Sequence, residues 1–231
     1  MSVERREGTE LRFPTATGSG EVRGIVHAPL GPASGALVIA HGRSSHMGAA
    51  VIRRVSEAAA DAGIWALRFN FRYVDSKAQA SPKFVDEVDD LLGGVRLARK
   101  ECGSVPILVA GASMGARVCA LASADPDVAA MIALGYPLHP RFRPEVRNPP
   151  EWPKIVKPAL FVQGDHDPFC DLARLQEELP RLPQRHELVV IRNAGHSFEP
   201  RGEKRDTFPD VGTGVERWIR STLAGENQIA P

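Results

Sequence analysis

Short unbroken apolar blocks alternate along this chain with stretches in which apolar residues recur every three or four positions. Ala36-Leu37-Val38-Ile39-Ala40 is one such block, and it ends at His41-Gly42. A strand covered on both faces has this signature, because neither side of it meets water. Pro106 to Ala110, Ala129 to Leu134 and Ala159 to Gln163 are further apolar runs, and Ile64 to Phe71 and Glu187 to Ile191 also read as strands. Between the blocks the period becomes helical. Ile52, Val55, Ala59 and Ala62 share one face, and Gly63 stands where a C-cap belongs. A second helix starts near Ser81-Pro82 and carries Phe84, Val88, Leu91, Leu92 and Val95. It opens on Asp86, Glu87, Asp89 and Asp90 and closes on Arg96, Arg99 and Lys100, which complements the helix dipole. A last helix carries Val211, Val215, Trp218 and Ile219.

Ahead of the first block, Leu11-Arg12-Phe13 and Glu21 to His27 flank a turn rich in Thr, Gly and Ser, which predicts a β-hairpin over 9–28. Strands alternating with helices predict right-handed crossovers and a mostly parallel central sheet with helices on both faces, over 36–223. The fold class is therefore α/β, with 1–231 read as one domain. Tyr136 to Pro158 is rich in proline and poor in helical period. It reads as an extended surface connection, too short for a cap domain. In such sheets the chemistry collects at the carboxyl ends of the strands.

One of those ends carries Gly111-Ala112-Ser113-Met114-Gly115, a G-x-S-x-G string between a predicted strand and a predicted helix. Side chains two positions before and after the serine would clash in so sharp a turn, hence the two glycines. The turn exposes Ser113 Oγ and brings the Met114 N–H to a helix start, where it can stabilise an oxyanion. A serine hydroxyl is a weak nucleophile and needs a base that is itself oriented by an acid. His196 follows the last predicted strand and fits the base. The acid belongs after Leu160-Phe161-Val162-Gln163, where Asp165 and Asp167 compete. Asp167 lies beyond the turn and reaches toward the histidine loop, which leaves Asp165 as a turn former. The alternative position, after Ala133-Leu134-Gly135, offers only Tyr136 and Pro137. The second oxyanion donor is expected in His41-Gly42-Arg43-Ser44, at the Arg43 N–H, with Ser44 as the fallback. His41 reads as a structural hydrogen-bonding group. Arg43, His46, Arg72, His139, Arg141 and Arg143 all fall near strand ends and raise the option of an electropositive mouth for an acidic substrate.

Composition removes other function classes. Of the 231 residues 43% are hydrophobic and 25% charged, ordinary values for a globular protein. Lys and Arg total 29 against 28 Asp and Glu, so no single-sign field marks a nucleic-acid partner. Cys102, Cys119 and Cys170 have unrelated spacings, which fit neither a zinc site nor a disulfide framework. The charged start, Met1 to Glu10, has no apolar signal core, and no apolar run reaches the roughly 18 residues of a membrane span. The expectation is a cytoplasmic protein, monomer or homodimer, without a membrane or nucleic-acid partner. Tyr73 and Lys77 mimic a Y-x-x-x-K pair, but the order is wrong for a dinucleotide fold. With no G-x-G-x-x-G, no phosphate loop and no H-E-x-x-H, no cofactor and no metal are expected.

Taken with Val38-Ile39-Ala40-His41-Gly42, Leu67 to Tyr73, Leu134 to Pro140 and Gln163 to Phe169, the serine turn resembles the α/β-hydrolase superfamily in its compact, capless, dienelactone-hydrolase-like form. The same strings resemble a branch that includes testis-expressed hydrolase-like proteins and a hydrolase-like subunit of the nonspecific-lethal chromatin complex. The resemblance implies Ser113, Asp167 and His196 as nucleophile, acid and base. Three departures stand out. Ala116 replaces a second glycine, Arg43-Ser44 replaces a smaller loop, and a serine stands where dienelactone hydrolases carry cysteine. The leading expectation is a serine hydrolase of an ester or thioester, with amide as a further option, acting on a small-molecule acyl substrate. The alternative is a non-catalytic binding or scaffold protein that retains the fold.

Overall fold

The computed structural model describes residues 8–146, 149–202 and 205–226. Its first strands, β1 (Thr9–Pro14) and β2 (Glu21–His27), pair antiparallel with Phe13 opposite Val22. The apolar blocks become β3 (Gly35–Ala40), β4 (Ile64–Phe69), β5 (Ile107–Ala112), β6 (Val128–Leu134), β7 (Ala159–Gly164) and β8 (His186–Ile191). Among the described residues these form one eight-stranded sheet in the order β1-β2-β4-β3-β5-β6-β7-β8. From β4 to β8 the pairing is parallel, and β2 meets β4 antiparallel.

The helices are α1 (Ala50–Asp61), α2 (Arg72–Asp75), α3 (Val85–Cys102), α4 (Met114–Ala122), α5 (Leu172–Glu178) and α6 (Phe208–Glu226). Every residue of β3, β4 and β7 is buried, as strands covered on both faces must be. From β3 to β8, side-chain alternation divides each strand between two cores. Ala36, Val38 and Ala40 face one that includes Leu91 and Val95 of α3 and Val118 of α4. Leu37 and Ile39 face the other, with Ile52 and Val55 of α1 and Val215 and Trp218 of α6. This places the carboxyl ends of β3, β5, β6, β7 and β8 along one rim. Among the described residues no helix is long and apolar enough to cross a membrane.

Three sequence expectations change. β4 stops at Phe69 rather than Phe71, because polar side chains take over the backbone there. Phe71 N–H donates to His41 Nε2 at 3.1 Å, and Asn70 Oδ1 accepts the Met47 N–H at 2.8 Å. The proline-rich segment 136–158 is a surface connection only in part: 140–145 are exposed, but Tyr136, Leu138, Trp152 and Ile155 are all buried. Tyr136 meets Trp152 and Phe161 edge-on, with ring centroids 5.4 and 5.8 Å away. The prolines turn the chain back on itself, so these apolar side chains reach the core without any regular period. Finally, α5 has no helical stripe to announce it, since only Leu175 is buried. Its one sequence signal is Asp171, whose side chain caps it by accepting the Arg174 N–H at 2.9 Å.

Candidate active site

Ser113 sits between β5 and α4 at φ 52° and ψ −115°, a conformation that non-glycine residues rarely adopt. The turn is tight enough to dictate its neighbours. A Cβ on Gly111 would lie 2.2 Å from the Gly115 carbonyl, and one on Gly115 would lie 2.7 Å from the Ala40 and His41 oxygens. The Ser113 N–H donates to Leu134 O at 2.9 Å, which ties the turn to the end of β6.

Beyond β8, the loop 193–200 returns over the rim. His166 N–H donates to Ala194 O at 2.9 Å, and Asp165 Oδ1 accepts the Ala194 N–H at 3.2 Å. Asp165 therefore does more than shape its own turn: it fastens the histidine loop to the loop after β7. Two bonds then join side chains that lie far apart in the chain. His196 Nε2 is 2.8 Å from Ser113 Oγ, and His196 Nδ1 is 2.7 Å from Asp167 Oδ2. The Asp167 side chain is completely buried, whereas His196 keeps 17% of its surface exposed. A carboxylate at Nδ1 holds the proton on that nitrogen and leaves Nε2 as the acceptor facing the hydroxyl. The Phe169 ring covers the imidazole at 4.6 Å between centroids. Gly135, at φ 61°, lets β6 end directly against this pair, since a Cβ there would meet His196 O at 2.7 Å.

On the other side of Ser113 lies the loop after β3. An added Cβ on Gly42 would stand 3.4 Å from Ser113 Cβ. His41 fixes the next peptide. Its Nε2 accepts the Phe71 N–H, so Nδ1 carries the proton and donates to Gly42 O at 2.7 Å. The Arg43 N–H is trans to that carbonyl and therefore points the opposite way. The Tyr73 hydroxyl braces the following carbonyl, donating to Arg43 O at 2.7 Å. Burial pushes the Tyr73 phenol up to about 12, which keeps it a donor. Tyr73 thus matters to this loop as a brace, although its sequence context pointed only to a decoy motif. The Met114 N–H is the first of α4 and has no acceptor within the helix.

Four of the six cationic side chains near the strand ends have partners of their own. Arg72 is engaged by Asp89 and Asp90 at 3.3 and 2.5 Å, and Arg143 by Glu145 at 3.4 Å. His139 is buried, with Nδ1 against Pro140 O and Nε2 accepting the Asp171 N–H. The Arg43 guanidinium lies over the Phe84 ring, 5.7 Å from its centroid. Among the described residues no group of three or more His, Cys, Asp or Glu side chains is placed to hold a metal ion.

The buried His41 ring makes a pH test available. Burial lowers its pKa to about 4, against about 6.5 in an unfolded chain. Between those values the unfolded state binds the extra proton, so stability falls as pH drops from about 6.5 toward 4. The full shift corresponds to a loss of roughly 3 kcal/mol. Urea midpoints measured across this window should decline more steeply for the wild type than for His41→Gln.

The alpha/beta hydrolase domain family matches residues 33–221. Solved structures share the fold over nearly the whole chain. A lidless α/β serine hydrolase from Xanthomonas campestris has a TM-score of 0.74 at 22% identity, covering 96% of this chain and 97% of that one. An α/β serine hydrolase homologue from Coxiella burnetii has a TM-score of 0.74 at 22% identity, with coverages of 95% and 100%. A dienelactone hydrolase from Anabaena variabilis gives 0.72 at 21% identity, with coverages of 94% and 99%.

Proposed function

Since the chain belongs to the alpha/beta hydrolase domain family, we propose that it is a serine hydrolase cleaving an ester or thioester through Ser113, His196 and Asp167. The observation that carries this reading is the continuous row from Ser113 Oγ through His196 to Asp167, at 2.8 and 2.7 Å. Its strands belong to one rigid sheet, so the row is preorganised for proton transfer. Within the family, the strings that resemble the testis-expressed hydrolase-like branch support a relation to that branch.

Each step follows from an atom already placed. Ser113 Oγ attacks the substrate carbonyl carbon while His196 Nε2 takes the hydroxyl proton. The new imidazolium is held by the Asp167 carboxylate at Nδ1. The carbonyl oxygen becomes an oxyanion and accepts hydrogen bonds from the Met114 and Arg43 N–H groups. When the intermediate collapses, the carbon–oxygen or carbon–sulfur bond breaks and His196 returns its proton to the leaving alcohol or thiol. Water then enters, gives a proton to Nε2 and attacks the acyl carbon. The acid departs and the proton returns to Ser113.

A panel of chromogenic esters and thioesters of graded acyl length tests the proposal. At least one short member should be turned over, with amides of the same acids much slower. A folded protein that hydrolyses none of them would point instead to a binding role.

A further inference from the structure

Gln163 is a fully buried polar side chain in a strand that is otherwise apolar up to its terminal glycine. Its Nε2 donates to Asp167 Oδ2 at 2.5 Å, the same oxygen that faces His196 Nδ1. The other carboxylate oxygen, Oδ1, accepts the Phe169 N–H at 2.8 Å. Asp167 is thus gripped from the strand on one oxygen and from its own loop on the other. The contact also fixes the amide's orientation, because a carboxylate needs the NH2 and not the carbonyl. That leaves Gln163 Oε1 buried and without a hydrogen-bond partner among the described residues. An orphaned buried carbonyl is destabilising, and an apolar side chain of the same volume would remove the cost. Packing alone therefore does not account for glutamine at this position.

We propose, resting on the reading of this site as a serine hydrolase, that Gln163 is a positioning residue that keeps the Asp167 carboxylate aimed at His196. The terminal torsion of an aspartate is broad, and without Gln163 the Oδ2 side would be held only by the His196 ring that it has to orient. A second donor on Oδ2, projected from the end of β7, removes that freedom. The carboxylate is then already in place when positive charge develops on the imidazole, and no reorganisation is needed at that moment. The amide does not touch substrate. It acts through Asp167.

Gln163→Met and Gln163→Asn separate this role from a structural one, assayed on an activated chromogenic ester that the wild type hydrolyses. Methionine matches the length, lacks the donor and removes the orphaned carbonyl. The lost donor to the buried carboxylate and the removed orphan carbonyl oppose each other, so its unfolding midpoint should stay close to that of the wild type. Its kcat should fall about 100-fold, the scale of a 1 Å misplacement, with KM unchanged. Asparagine keeps the amide but falls one methylene short of Oδ2, and it carries the same expectation if the methionine variant does not fold. Either folded variant retaining the wild-type kcat overturns the assignment. An inactive wild type removes the hydrolase reading and this inference with it, whereas an active wild type beside fully active variants removes this inference alone.

Discussion

Ser113→Ala should lower turnover of an activated ester by about 10³- to 10⁶-fold while the unfolding midpoint stays close to that of the wild type. The fall is large because in the proposed reaction Oγ is the atom that forms the acyl bond. The fold survives because Gly111 and Gly115, not the serine side chain, make the turn sterically possible. Alanine inherits the same positive φ, so the backbone strain is unchanged. The hydroxyl's bond to His196 is lost, a change of about 1 kcal/mol. A residual rate above that of water is expected, since the Met114 and Arg43 N–H groups remain. Urea unfolding beside steady-state kinetics separates the two effects.

Asp167→Asn should lower kcat/KM by about 10⁴-fold with little loss of stability, through the proton's position on His196. The Phe169 N–H requires an oxygen at Oδ1, so the new amide NH2 must take the place of Oδ2. There it donates to His196 Nδ1 and drives the ring proton onto Nε2, which then faces Ser113 as a donor and cannot accept the hydroxyl proton. The NH2 also meets the Gln163 NH2, but that amide can turn over and present its orphaned Oε1. The variant thereby recovers a hydrogen bond while losing its base. Paired kinetics and thermal unfolding should show a folded, nearly inactive protein.

The α/β architecture was legible because strands buried on both faces leave unbroken apolar blocks, as Ala36 to Ala40 and Ala159 to Val162 do. The serine turn was legible for a steric reason: close backbone approach at 111 and 115 admits only glycine. Segment 136–158 was read only in part, because Tyr136, Leu138, Trp152 and Ile155 enter the core without a period that a pattern can detect. Whether the cationic residues near the strand ends act together was left open by the sequence. Arg72 is neutralised by Asp89 and Asp90, and the fold that brings α2 against α3 decides that pairing. The lock that His41 places on Gly42 O depends on ring tautomer and loop path together, so sequence indicated only a structural histidine. Gln163 carried a readable signal that went unused, a lone polar residue at the end of an apolar block.

The account rests on one row of bonds making Ser113 nucleophilic, and covalent labelling with a fluorophosphonate, mapped by peptide mass, reads that most directly. The wild type should carry a stoichiometric adduct on Ser113 and His196→Ala almost none in the same time. A folded wild type without an adduct, or equal labelling of the two proteins, would contradict it.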